Sequence, residues 1–234
     1  MLRWYQIVRN TLLALVALAA ACAHAEPPAP IEASAEKIEA LFPAGEEIAL
    51  FDAKTLKGWK IADKAFFQHH GDVTVQEGSI ILEAGHSGTG IAWTKPLPRM
   101  NYELQLEAKR VKGNDFFCGL TFPYAKSYVS LIVGGWGGGA TGLSNVDDSS
   151  AVENETSTFR DYRQDQWYAI RLRVTEAKIE AWIDDDQIID LETKDRRFSI
   201  WWEQEAMRPL GIATWYTKAA LRNIRLTRLD ESSR

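Results

Sequence analysis

Polar and apolar side chains alternate along Tyr102-Glu-Leu-Gln-Leu-Glu-Ala-Lys109: Tyr102, Leu104, Leu106 and Ala108 fall on one side, Glu103, Gln105, Glu107 and Lys109 on the other. A period of two sends successive side chains to opposite faces of an extended chain, so this stretch predicts a strand with one face in a core and one in water. The alternation returns in Tyr168–Val174, where Ile170, Leu172 and Val174 oppose Arg171 and Arg173, and again in Lys178–Ile183. Thr175-Glu-Ala177 joins these two as a hairpin. Asp184-Asp-Asp186 predicts a tight turn into Gln187–Leu191, because Asp tolerates turn conformations and bonds to nearby backbone. Further short runs at 48–51, 73–75, 79–83, 90–94, 116–122, 128–133, 210–214 and 221–229 bring the expected total to about a dozen strands. Many short strands with frequent turns predict an all-β sandwich or jelly roll of two antiparallel sheets.

The N-terminus follows other rules. Arg3 and Arg9 precede the apolar run Thr11–Cys22, and Ala23-His-Ala25 has the small-x-small form of a signal-peptidase site, so residues 1–25 read as a signal peptide and Glu26 as the mature start. The run is about a dozen residues, short of the roughly 18–20 that span a bilayer, and no later segment is long and apolar enough to do so. A secreted or periplasmic location is expected. A second reading of the same segment makes Cys22, which follows three alanines, a lipid-modified anchor. Residues 26–46 read as a linker: Glu26-Pro-Pro-Ala-Pro30 is stiff and extended, and Ser34–Phe42, with Ser34 as a helix N-cap and Pro43 beyond the end, predicts two helical turns. The domain proper is expected over 47–230.

Cysteine usage and charge narrow the picture. Once the signal is removed Cys118 is the only cysteine, so no internal disulfide can form and packing alone must hold the domain. Cys118 lies in an apolar strand and is expected to be buried and inert. Nine Trp, nine Phe and seven Tyr supply a bulky core. The net charge of −5 and the absence of basic runs with interleaved aromatics exclude nucleic acid as the expected partner.

One long stretch resists the strand pattern: Gly134-Gly-Trp-Gly-Gly-Gly139, then a polar, acidic segment to Gln166. Long irregular loops in compact domains are disproportionately functional. Within it Glu153-Asn-Glu155, with Asp147 and Asp148 upstream, can supply a general base or oxygen ligands for a divalent cation such as Ca²⁺; a solvated acidic loop is the competing reading. Trp136, a rigid ring among glycines, is a stacking platform for a sugar. His86, in the turn Gly85–Gly90, is an acid/base candidate because imidazole titrates near neutrality, whereas adjacent His69 and His70 on a strand point to opposite faces and cannot share a ligand. Asp184–Asp186 is read as a turn and Trp201-Trp202 as core or sheet packing.

Ala49-Leu-Phe-Asp-Ala-Lys-Thr-Leu-Lys-Gly-Trp-Lys60 resembles the entry strand of the 3-keto-disaccharide hydrolase family, formerly a domain of unknown function. Pro209-Leu-Gly-Ile-Ala213 and Ala220-Leu-Arg-Asn-Ile-Arg-Leu-Thr-Arg-Leu229 are similar to its closing strands, and Tyr102–Lys109, Asn114–Gly119, Gln166–Tyr168 and Trp182–Gln187 occur between them in the family's order. The resemblance implies a concanavalin A-like jelly roll and action on 3-keto-glycosides. A ketone at C3 acidifies the C2 proton, a base removes it, and the C1 substituent departs by elimination; a donor or metal must hold the enolate and an acid must protonate the leaving oxygen. It also implies a sugar-binding role for Asn114 beside the groove; Asp115, next to it at the strand entry after Gly113, is a catalytic candidate as a carboxylate, and ordinary turn chemistry is the competing reading for the pair. The chain departs from the family where many members carry Tyr-Glu-x-Gln: here the stretch is Tyr128-Val-Ser-Leu131, which keeps Tyr128 as a substrate-binding candidate and lacks both polar groups. Two functions stay open, a glycoside-cleaving enzyme whose catalytic groups sit in the long loop around Glu153, Asn154 and Glu155, and a lectin-like module that binds carbohydrate or protein without turnover.

Overall fold

The computed structural model describes residues 33–230. The expected signal peptide, Cys22 and the proline-rich spacer lie outside the described residues. Ser34 caps helix α1 (Ala35–Leu41) as expected, its side chain accepting from the Lys37 amide. Among the described residues the chain then enters fifteen strands that pair antiparallel in two sheets.

One sheet is the polar-backed one read from the alternating stretches. Its order is β13 (Asp186–Glu192), β12 (Lys178–Ile183), β11 (Tyr168–Val174), β6 (Tyr102–Lys112), β15 (Lys218–Arg228), β4 (Ser79–Leu82) and β3 (Val73–Gln76), with β1 (Glu47–Ala49) also on β15. Leu104, Leu106 and Ala108 of β6 and Ile170, Leu172 and Val174 of β11 are buried in the core. Their alternates form outward ion pairs, among them Arg173 with Glu103 at 2.9 Å and Arg222 with Glu107 at 2.6 Å.

The second sheet runs β10 (Thr158–Phe159), β9 (Ala140–Ser144), β8 (Ser127–Gly135), β7 (Cys118–Tyr124), β14 (Gly211–Trp215), β5 (Gly88–Trp93) and β2 (Trp59–Ile61). Its inward positions, such as Leu120, Phe122, Val129, Leu131, Leu143, Ile91 and Ile212, complete the sandwich core. This is the concanavalin A-like jelly roll. Cys118 is fully buried there, and burial pushes its thiol up to about 12.

The outward positions of the second sheet are mostly small: Gly119 and Thr121 on β7, Ser130 on β8, Ala140, Gly142 and Ser144 on β9, Gly90 on β5, Gly211 and Ala213 on β14. That explains a difference from expectation. The segment after Gly139 contains β9 and β10 rather than irregular chain. Ala140-Thr-Gly-Leu-Ser144 gives no visible strand pattern because its outward residues pave a close-approach surface instead of facing water.

Candidate functional site

A cleft of about 450 Å³ opens on the outer face of the second sheet. Ser130 and Ile132 of β8, Ser144 of β9 and Trp215 of β14 form its floor, with Asp115, Phe116, Trp136, Trp201, Glu203 and Gln204 around it. Phe116 folds over the sheet where Gly119 leaves room: a Cβ there would lie 2.9 Å from the ring. Its ring stacks on Trp215, with centroids 6.2 Å apart and 22° between planes. The site is thus aromatic with a few polar groups, the usual make-up of a small-molecule pocket.

The polar groups arrive from a segment that carries no periodic signal. Residues Trp202–Met207 form a short 3-10 turn, whose Met207 is fully buried against β5 and β14. Met207 sits so close to the sheet that a Cβ on Gly211 would be 2.6 Å from it. Seated this way, the segment presents Glu203 and Gln204 to the cleft. Glu203 Oε2, Gln204 Oε1 and Ser144 Oγ are all shielded from solvent, and none has a hydrogen-bond partner among the described residues. Buried polar atoms are paired in the great majority of cases, so three orphans on residues that line one cleft leave hydrogen-bonding capacity there for a polar ligand that reaches them. A carboxylate and an amide thus enter the cleft from the 3-10 turn, whereas β8 offers only Tyr128, Ser130 and Ile132 on that side. Ser130 pairs with Thr121 at 2.9 Å.

Asp115 and Trp136 are the two sequence-derived candidates that line the cleft. The Asp115 backbone amide donates to Thr217 Oγ1 at 3.2 Å, and Asp115 Oδ1 accepts from the Phe116 amide at 2.7 Å. Trp136 is half exposed at the tip of the β8–β9 turn. That turn is wrapped around Arg110, which is only 4 % exposed and donates to the carbonyls of Gly138 at 2.7 Å, Gly134 at 3.0 Å and Tyr162 at 3.1 Å. A Cβ on Gly134, whose φ is +74°, would lie 2.5 Å from the Arg110 guanidinium, so glycine is what lets the turn close on the cation. Burial lowers the pKa of Arg110, opposed in part by the Asp115 charge.

The remaining candidates stand elsewhere. Glu153 is exposed and accepts from the Ser150 hydroxyl at 2.5 Å. Asn154 is a loop clamp, donating to the carbonyls of Leu143, Ser149 and Ser150 and accepting from Thr156 through both its amide and its hydroxyl. Glu155 and Asp147 pair with Arg196, and Asp148 with Arg197. Among the described residues no three His, Cys, Asp or Glu side chains gather as a cation cage requires. Asn114 is exposed and outside the cleft wall. Tyr128 is buried, its ring facing Arg99 and Arg208 and its hydroxyl accepting from Arg99 at 2.8 Å. His86 is exposed, 6.3 Å from the His69 ring; His69 and His70 follow a 3-10 turn (Ala65–Phe67) and are not on a strand. Trp201 and Trp202, expected as packing, are 47 % and 62 % exposed.

The loop's ion pairs carry a pH dependence. Asp147 accepts from the Arg197 backbone amide and from the Arg196 side chain, and both hold its carboxyl below the usual carboxylate range. A carboxyl whose folded value is depressed stabilises the loop above the unfolded pKa and loses that contribution as pH falls through the folded value. Hydrogen exchange followed from about pH 5 downward should show amides of 145–157 losing protection only once the pH has dropped below the usual carboxylate range, about 4, and before the strand core. Loss of loop protection already at pH 5 would show that these pairs do not hold it.

Three solved structures with the same fold show how far sequence has drifted. A structure from work on endo-acting O-glycanases of human gut microbiota that initiate mucin breakdown is 13 % identical, over 78 % of this chain and 100 % of its own, with a TM-score of 0.56. A Bacillus subtilis protein of unknown function with a galectin-like fold is 10 % identical over 80 % and 97 %, with a TM-score of 0.55. The Crh5 transglycosylase in complex with NAG is 12 % identical over 80 % and 86 %, with a TM-score of 0.54. At such identity the likeness speaks for the fold alone. No curated protein matches the chain in sequence. The family model for the 3-keto-alpha-glucoside-1,2-lyase-like domain does match, over residues 46–227, from β1 to the end of β15. With nearly the whole sandwich inside that match, the chain belongs to the 3-keto-alpha-glucoside-1,2-lyase-like domain family.

Proposed function

We propose that the cleft binds 3-keto-glycosides and cleaves them by elimination, and that the protein works outside the cytoplasm. The observation that carries this reading is the set of orphaned polar atoms on Glu203, Gln204 and Ser144 inside an aromatic cleft. Sugars present both an apolar C–H face, which stacks on rings such as Trp136 and Trp201, and hydroxyls that satisfy buried donors and acceptors. In this account Glu203 takes the C2 proton. The electron pair moves into a C1–C2 double bond as the C1–O bond breaks, and Asp115 hands a proton to the departing oxygen. The Ser144 hydroxyl donates to the C3 oxygen while it carries enolate charge, and Gln204 Oε1 accepts from a sugar hydroxyl. Water added across the new double bond completes a net hydrolysis. The extracytoplasmic location rests on Arg3, Arg9 and the apolar run to Cys22.

Purified protein incubated with a 3-keto-glucoside, with Ca²⁺ or with chelator, is expected to release the aglycone. A folded sample giving no release in either condition would overturn the enzyme reading. The second reading, binding without turnover, draws on the missing carboxylate and amide of β8; it predicts saturable glycan binding that Trp136→Ala abolishes, with no product.

A further inference from the structure

Two histidines from different loops meet outside the cleft wall. His69 follows the 3-10 turn Ala65–Phe67, and His86 lies between β4 and β5; both are exposed, and their ring centroids are 6.3 Å apart with 79° between planes. The backbones beneath them are fastened to each other. The His86 amide donates to the His69 carbonyl at 2.9 Å, and the Gly71 amide donates to Thr89 Oγ1 at 2.8 Å. A Cβ on Gly85 would lie 2.9 Å from the His69 carbonyl oxygen, and one on Gly71 2.4 Å from that of Glu83, so two glycines let the loops close to this separation. With both main chains held, only side-chain rotation is needed to aim the two imidazoles at one ligand.

Two imidazoles that bind one ion through nitrogen at about 2.0–2.1 Å hold their centroids roughly 5–6.5 Å apart, depending on the angle at the metal. The observed 6.3 Å falls within that span. We propose that His69 and His86 form a two-ligand site for a first-row transition ion such as Zn²⁺, with water in the remaining positions. The donor set decides the class of ion. Neutral imidazole nitrogen suits Zn²⁺, Cu²⁺ and Ni²⁺, whereas Ca²⁺ and Mg²⁺ demand several oxygens. His70 is not a member of the pair: it is half-buried, and its Nδ1 donates to the Gly71 carbonyl at 2.7 Å. Because the two ligands come from separate loops, a bound ion clamps the segment after the 3-10 turn to the entry of β5 and so stabilises the folded domain. The site is independent of the cleft and of what the cleft turns over.

The test is a titration of the protein with Zn²⁺ and, in parallel, with Ca²⁺, read by calorimetry and by Tm. Zn²⁺ should bind saturably and raise Tm in step with its concentration, as a ligand of the folded state does, and Ca²⁺ should do neither. His69→Ala and His86→Ala, made separately, should keep the Tm that the unaltered protein has in chelator. Each should weaken Zn²⁺ binding at least about 10-fold, the smallest loss expected even for an outer partner of a metal ligand, and abolish the rise in Tm. His70→Ala should leave both unchanged. With Cu²⁺ as the probe, the nitrogen superhyperfine pattern in EPR should report two imidazoles in the unaltered protein and one in either single variant. No saturable Zn²⁺ binding, binding that survives both substitutions, or an equal loss in His70→Ala would overturn the site.

Discussion

Replacing Glu203 with glutamine is expected to lower kcat on a 3-keto-glucoside by about 10²–10⁴-fold, the range associated with a positioned general base. The amide keeps the shape of the side chain, so KM and Tm should change little. The expectation follows from where Glu203 sits: a 3-10 turn anchored by Met207 on the sheet holds its Oε2 shielded and unpaired beside Gln204 and Ser144. A carboxylate kept in that state has no structural partner to serve, and a ligand proton is the natural one. A variant that retains turnover within a factor of three would move the base elsewhere, with Asp115 as the other carboxyl on the cleft wall.

The second large effect is expected at Arg110. Arg110→Met should remove donors from three carbonyls, those of Gly134, Gly138 and Tyr162, and cost on the order of 3 kcal/mol. For a domain of this size that corresponds to a Tm lower by roughly 6–12 °C. The loss should also be local. The same bonds fix the turn that carries Trp136, so glycan affinity should fall further than in a surface variant of equal Tm, and the Trp136 emission should shift toward that of a solvated ring. Arg110→Lys keeps the charge but not the fork of donors, and should recover only part of the stability. Unaltered affinity in a destabilised Arg110→Met protein would show that the turn does not depend on the guanidinium.

These two residues also show what could and could not be read from the sequence. β6, β11 and β12 announce themselves because one face is wet: Glu103, Gln105 and Glu107 alternate with Tyr102, Leu104 and Leu106. β9 is silent because both its faces are covered and its outward residues are Ala140, Gly142 and Ser144. Trp136 was legible, since a lone ring among glycines must be displayed by a turn. Asp115 was legible through its place at a strand entry. Glu203 and Gln204 were not: they occupy a 3-10 segment of about two windings, next to two tryptophans that look like core, and only the burial of Met207 reveals which way they face. The acidic run at 147–155 drew attention by composition, yet its carboxylates Asp147, Asp148 and Glu155 answer Arg196 and Arg197, a pairing between segments some fifty residues apart that no local pattern encodes. Arg110 reads as one of several charges on a strand, and its burial depends on a turn that closes from β8.

The central claim is that the sugar lies on the second sheet against Glu203, Gln204 and Ser144. A crystal structure of the Glu203→Gln protein soaked with a 3-keto-glucoside tests it most directly. The account predicts a pyranose in the cleft, stacked on Trp136 or Trp201, with its oxygens on Gln204 and Ser144. A sugar bound instead at the Asp147–Glu155 loop, with the cleft holding only water, would contradict it.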